Sequence, residues 1–283
     1  MKKWLLILRA YSWPASLVPV VLGTVVGWRQ GALSWPDFAL TITAALLVHS
    51  AANLANTYFD FRNGVDRKET ADDRGLVDGL ISPKALLRLS LGLFAAGAAI
   101  GFLLAFKNRV PSLLWLGAAG FALAWFYTAT GFAYKYRTLG DAGIFFAFGP
   151  LVVCGTALIQ ARAFVPEALW ASIPVGLLIV ALLHANNMRD VKSDYGAGFT
   201  TLAAALGPDG AEKFYYALIF APYLFSLTFG SIWPPVFCAL SMPLTVRLKE
   251  LAAKGDFSRL VPETARLVAV YGLLLSAGLY IAA

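Results

Sequence analysis

Charge is scarce in this chain. Only 14% of its 283 residues are Asp, Glu, Lys or Arg, against 59% hydrophobic residues, and the mean hydropathy is +0.69. A water-soluble globule of this size could not stay dispersed with so little polar surface, so an integral membrane protein remains. Cysteine is almost missing: Cys154 and Cys238 both fall inside apolar runs, where they build no disulfide framework and read as packing residues. No Gly-rich nucleotide loop and no haem attachment motif is present. Strand-like alternation is also absent, which excludes an outer-membrane barrel; backbone polar groups in lipid must then be satisfied inside helices. No basic, aromatic-interleaved soluble segment argues for nucleic acid, and the net charge of +7 suits anionic lipid instead.

What is there is a series of apolar windows. A helix needs about 20 residues to cross the hydrocarbon core, and nine windows qualify, near residues 12 to 28, 37 to 57, 86 to 106, 111 to 130, 140 to 161, 167 to 187, 213 to 230, 232 to 247 and 264 to 282. The pattern predicts an all-α polytopic membrane protein, one domain over 1–283, with nine transmembrane helices. Residues 1 to 10 read as an interfacial helix and not as a signal peptide, because Arg9 breaks the run and no convincing cleavage pattern follows. With the N-terminus inside, every Lys and Arg except Arg29, Lys107, Arg109 and Arg162 falls on the cytoplasmic side. That bias predicts N-in, C-out, in a cell inner membrane, with the acidic loops facing the cytoplasm.

Two stretches then demand explanation. "HSAANLANTYFDFRNGVDRKETADDRGLVDG" follows the second window, and "HANNMRDVKSDYGAGFTTLAAALG" follows the sixth. Asn56 and Asp60 are four apart, with Asp66 beyond; Asn186, Asp190 and Asp194 repeat that spacing. Positions i and i+4 share a helix face, so each cluster offers an amide and carboxylates along one stripe at the end of a membrane helix. The upstream His49 and His184 make the two stretches a weak internal echo, and both read as buried hydrogen-bonding histidines. Asn53, Asn56, Asn186 and Asn187 sit where unsatisfied amides are costly, so each needs a partner. Carboxylates at this density, without Cys or paired His, suit a hard divalent cation, and Mg2+ prefers a few carboxylates plus substrate phosphate oxygens.

A diphosphate bridged by such a cation wants positive charge nearby. The first cluster supplies Arg67, Lys68 and Arg74, and the second Arg189 and Lys192. "WFYTATGFAYKYRTLGDAG" adds Lys135, Arg137 and Asp141 beside Tyr127, Tyr134 and Tyr136. Asp72, Asp73 and Asp78 read as loop-ordering charges, since their spacing is not D-D-x-x-D. The mixture predicts a phosphorylated, partly greasy substrate.

At these residues the chain resembles the UbiA superfamily of intramembrane aromatic prenyltransferases. The likeness rests on "NTYFDFRNGVD" and "NNMRDVKSD", with support from "LRAYSWPASLVPVVLGTVVG" and "YKYRTLGDAGIFFAFGPLVVCGT", and it covers roughly residues 7 to 210. It departs from the family pattern in the longer gap between Asp60 and Asp66. Within the superfamily the motifs look most like the branch that prenylates 1,4-dihydroxy-2-naphthoate on the way to menaquinone.

The resemblance implies a polyprenyl diphosphate bound through two Mg2+ ions at Asp60, Asp66, Asp190 and Asp194, with Asn56 beside them. Lys135, Arg67 or Arg74, and Arg189 or Lys192 would neutralise the leaving group. Tyr58 and Tyr127 would shield the allylic cation, and Arg9 or Arg137 would meet the acceptor's carboxylate. The implied fold is a ring of helices around a central cavity open to the cytoplasm and to lipid, where the prenyl tail lies. Superfamily acceptors such as 4-hydroxybenzoate, homogentisate, protohaem, chlorophyllide or a glycerol phosphate ether compete for the assignment. From another class, an ion-coupled secondary transporter competes, although the acids lie at helix ends and not near the midplane.

Overall fold

The computed structural model describes residues 7–31, 33–66, 74–129, 132–196 and 198–282. Among them there is no strand; one isolated bridge pairs Arg137 with Thr200. The long helices are α1 (Pro14–Trp28), α2 (Trp35–Arg62), α3 (Pro83–Lys107) and α4 (Ser112–Phe126). They continue with α5 (Gly140–Ala161), α6 (Pro166–Gly196), α7 (Leu202–Ser226), α8 (Trp233–Ala239), α9 (Met242–Ala253) and α10 (Phe257–Ile281).

Local chemistry marks the starts of these helices. Ser34 and Ser82 cap α2 and α3 through their side-chain oxygens, each followed by proline within the first two helical positions, where a missing N–H costs nothing. Gln160 clamps the α2 entry by accepting from the Ser34 N–H at 2.9 Å and donating to its carbonyl at 3.2 Å. Arg9, Arg109, Thr138 and Arg162 hold positive φ in the intervening connections.

Among the described residues six helices are long and apolar enough to cross a membrane: residues 10–28 including α1, then α2, α3, α5, α6 and α10. The protein is thus a multi-pass membrane protein by length and composition. The remaining predicted windows correspond to less regular rods. The window at 111 to 130 becomes the 15-residue α4. The window at 213 to 230 sits in α7, which is kinked at Gly207 (φ 68°, ψ 173°) before Pro208. The window at 232 to 247 splits into α8 and α9, with Pro243 opening the second. Nine spans are therefore not what length and composition alone return. The expected helix over residues 1 to 10 lies largely outside the described residues, whose first regular element is a single 3-10 turn, Ala10–Ser12.

Of three hydrophobic clusters among the described residues, two flank a cleft. The larger core gathers Leu22 and Val26 of α1, Val153 and Ala157 of α5, Val175 and Leu178 of α6, Ile219 of α7, and Leu267 and Tyr271 of α10. The smaller core joins Ala51, Ala55 and Phe59 of α2 to Phe94 of α3, with Phe121 and Trp125 of α4 packed against it. Close approach of α1 to α5 depends on glycine: a Cβ at Gly23 would lie 2.5 Å from the Val153 carbonyl oxygen, and one at Gly27 2.7 Å from that of Ala157. This is the small-xxx-small solution to helix association in lipid.

Candidate active site

A cavity of about 630 Å³ lies between these two clusters, lined from α1 through α6 and by the segment before α1. α2 carries its wall from Thr41 to Asp60, about 28 Å at 1.5 Å per residue. One arm is apolar, with Phe102, Leu113, Leu116, Phe121, Leu151 and Ile159. The other end is polar and collects both acidic clusters: Asn56, Asp60 and Asp66 from the first, and Asn186, Asn187, Asp190 and Asp194 from the second. α5 borders it with a π-helical stretch, Ala147–Leu151, containing Pro150. Such widened turns frequently mark functional sites.

The carboxylates are held in different ways. Asp60 is buried at 4% exposure; Lys135 Nζ donates to its Oδ2 at 3.0 Å, and the Tyr136 hydroxyl donates to its Oδ1. Asp190 accepts from Arg189 on both oxygens, Nε to Oδ1 at 2.8 Å and Nη2 to Oδ2 at 2.9 Å. Asp194, 3% exposed, keeps a buried Oδ2 without a hydrogen-bond partner. Among the described residues no three acidic, imidazole or thiol side chains stand close enough to form a ready-made cation cluster. The four cavity-lining carboxylates, Asp60, Asp66, Asp190 and Asp194, face three cavity-lining cations, Arg9, Lys135 and Arg189.

Lys135 and Tyr136 belong to a 3-10 turn, Tyr134–Tyr136, fastened on several sides. The Lys135 N–H bonds the Tyr127 carbonyl at 3.0 Å. The Tyr136 ring stacks on Phe199 with centroids 3.9 Å apart, next to the Arg137–Thr200 bridge. Burial opposes the charge on Lys135, yet Asp60 and the neighbouring Tyr136 and Asp194 hold its ammonium above the ordinary lysine range. Burial likewise pushes the Tyr136 hydroxyl up, with Asp60 adding to the effect, so it stays a donor.

Deeper in the cavity a neutral network lines the wall. Ser12 donates to the Arg9 carbonyl at 2.8 Å, so its oxygen is left to accept from His49 Nε2 at 2.9 Å and Asn53 Nδ2 at 3.3 Å. His49 therefore carries its proton on Nε2, and Nδ1 accepts from Ser16 at 2.6 Å. Arg9 itself adopts left-handed backbone angles (φ 51°, ψ 48°), a conformation that non-glycine residues hold only under constraint. Its guanidinium reaches Thr57 Oγ1 at 3.4 Å.

Several expected residues are elsewhere. Tyr58 does not line the cavity; its ring packs against Phe59 and under the Arg62 guanidinium. Lying two residues from both Asn56 and Asp60, it projects from the opposite face of α2. Arg74 is engaged by Asp78 at 2.7 and 2.8 Å on the surface. Arg137 is exposed with its guanidinium 5.5 Å from the Phe132 ring, and Lys192 is exposed. Arg67, Lys68, Asp72 and Asp73 lie outside the described residues. Tyr127 does line the cavity, its buried hydroxyl without a hydrogen-bond partner. Asp141 lies off the cavity, bonded through Oδ1 to His184 Nδ1 at 3.0 Å.

Comparison with known proteins gives this arrangement a family. The UbiA prenyltransferase family model matches residues 16–279. The chain belongs to the UbiA prenyltransferase family. Its enzymatic class is therefore prenyl transfer. UbiA prenyltransferase domain-containing protein 1 of Xenopus tropicalis is 36% identical over 290 residues, covering 99% of this chain and 82% of that protein. The human protein of the same name is 35% identical over 290 residues, covering 99% and 83%. Among solved UbiA structures, a homolog from Aeropyrum pernix superposes with TM-score 0.74 at 22% identity, covering 97% of this chain and 98% of that one. A homolog from Archaeoglobus fulgidus bound to GPP and Mg2+ superposes at 0.67 with 18% identity, covering 97% and 99%. These distant structures establish the UbiA fold.

Proposed function

We propose that this protein transfers a polyprenyl group from a polyprenyl diphosphate to an electron-rich aromatic acceptor, 1,4-dihydroxy-2-naphthoate, with loss of the ring carboxyl as CO2. The observation that carries the reading is one cavity joining an apolar arm to a pole of four carboxylates and three cations. An isoprenoid tail fits the first and a metal-bound diphosphate the second.

The donor set suits Mg2+: carboxylate and amide oxygens without thiolate, and a buried Asp194 Oδ2 that no protein donor satisfies. Asp60, Asp66, Asp190 and Asp194 would hold it, beside Asn56. When bound, the metal supplies charge stabilisation for the departing diphosphate. Lys135 and Arg189 add fixed positive charge at the same pole, which lowers the barrier to breaking the allylic C–O bond. Tyr127, which lines the cavity, would shield a developing allylic cation with its ring. The apolar lining excludes water from that cation. Arg9, which lines the cavity, is the cation for the acceptor's carboxylate.

The positive-inside bias supports nine spans in a cell inner membrane, with N-terminus and acidic pole cytoplasmic and the whole chain acting as one domain. The test offers purified protein in nanodiscs a polyprenyl diphosphate and Mg2+ with 1,4-dihydroxy-2-naphthoate and 4-hydroxybenzoate in parallel. Demethylmenaquinol with stoichiometric CO2 is the expected product; product from 4-hydroxybenzoate alone would overturn the acceptor and keep the transfer.

A further inference from the structure

The leading carboxylate of each cluster is already occupied by the chain's own donors. Asp60 has Tyr136 on one oxygen and Lys135 on the other, and Asp190 receives Arg189 on both. Each carboxylate retains lone pairs for a further ligand, yet a divalent cation arriving alone would meet an ammonium or a guanidinium at hydrogen-bonding distance from the same oxygens. Its approach is electrostatically opposed, most strongly at the buried Asp60.

A diphosphate changes that balance. Its oxygens are the partners that ammonium and guanidinium groups prefer, the guanidinium fork matching them in geometry. We propose that Lys135, Tyr136 and Arg189 form an exchangeable guard on Asp60 and Asp190, so that divalent metal binds more tightly together with diphosphate than alone. The two cations pass from carboxylate to diphosphate, and the carboxylates turn to the metal. This rests on the metal-and-diphosphate reading of the same pole.

The geometry allows the exchange without unfolding the loop. Tyr136 keeps its stack on Phe199 and Arg137 its bridge to Thr200, so the 3-10 turn stays anchored while two donors change partners. Asp190 and Arg189 are part-exposed neighbours in one helix, with side-chain exposures of 39% and 29%. A rotamer change at Arg189 is enough to release that carboxylate. The guard makes metal affinity conditional on the second ligand, a coupling that is reciprocal by linkage. It also keeps the buried pole close to charge balance before substrate arrives, which limits the cost of four carboxylates in one cavity.

The test uses Mn2+, which shares oxygen ligands with Mg2+ and whose free form is read by electron paramagnetic resonance. It is titrated into the full chain in detergent with and without inorganic pyrophosphate, with protein-free pyrophosphate controls. Tyr136→Phe keeps the ring and its stack, and Arg189→Gln keeps a polar side chain. The expected result is wild-type Mn2+ affinity about tenfold higher with pyrophosphate, and Mn2+ affinity without pyrophosphate about tenfold higher in each variant. Wild-type affinity indifferent to pyrophosphate, or variants no tighter than wild type for Mn2+ alone, would overturn the guard while leaving the metal reading standing. Mn2+ that binds none of the three proteins under either condition would overturn that reading and the guard with it.

Discussion

Thr128 donates its hydroxyl to Asn56 Oδ1 at 2.9 Å, fastening a cavity-lining amide of α2 to the segment that follows α4. With Oδ1 already accepting from a buried threonine, the Nδ2 end of Asn56 is, in the proposed function, a donor to diphosphate oxygen. Asn56→Asp, which replaces that donor with an acceptor, is expected to lower kcat/KM for the prenyl diphosphate about 100-fold, and Thr128→Val about tenfold. Steady-state kinetics at saturating acceptor checks both; equal loss in Asn56→Asp and Asn56→Ser would contradict the donor role.

The His184 ring meets an oxygen at each nitrogen, Asp141 Oδ1 at 3.0 Å and the Ala211 carbonyl at 3.1 Å. One proton therefore lies between Nδ1 and Oδ1, and the pair ties α5, α6 and α7 together in a fully buried setting. Removing one partner strands the other. Asp141→Ala is expected to cost about 3–5 kcal/mol, read as a lowered unfolding midpoint in detergent. The double replacement Asp141→Leu with His184→Phe is expected to cost less than Asp141→Ala alone.

Helix association gives a prediction away from the chemistry. Gly23→Val would place side-chain atoms inside contact distance of Val153 and Thr156 and is expected to destabilise by about 1–3 kcal/mol. The measurement is thermal unfolding in detergent. Gly101→Ala, where an added Cβ meets nothing within 4 Å, is the neutral control.

Lys135 sets a pH expectation. Its ammonium is held above the ordinary 10.5 despite the opposing effect of burial, chiefly through Asp60. A lysine shifted upward on folding stabilises fully below the unfolded value and loses that contribution only as pH rises through the folded value. Between pH 7 and 10 the unfolding-midpoint difference between wild type and Lys135→Met is therefore expected to stay constant, and to shrink only above that range. A difference that disappears by pH 9 would contradict the Asp60 contact.

The shared face of each acidic stripe is legible in the sequence. The i and i+4 spacing of Asn56 with Asp60, and of Asp190 with Asp194, placed both stripes on the cavity wall, because helix periodicity alone dictates a shared face. The same periodicity argues against Tyr58, halfway between Asn56 and Asp60; its aromatic character masked that. Tyr136 and Thr128 had no periodic signal, since they sit in or beside a short turn whose path is set by tertiary packing on Phe199. Ser12 and Ser16 carry no signal in the sequence, because serines near a membrane interface are common and only the fold brings them to His49. Hydropathy located the rods of α4, α7 and the α8–α9 pair. It could not foresee the shortness of α4 or the breaks in the others, of which the kink in α7 comes where Gly207 and Pro208 interrupt the hydrogen-bond ladder.

The most direct test of the central claim is prenyl transfer in nanodiscs measured against Mg2+ concentration, for wild type, Asp60→Ala and Asp190→Ala. The account predicts no turnover in EDTA, saturable activation by Mg2+ in wild type, and a loss of about 1,000-fold or more in each variant. Mg2+-independent transfer, or variants that turn over like wild type, would contradict it.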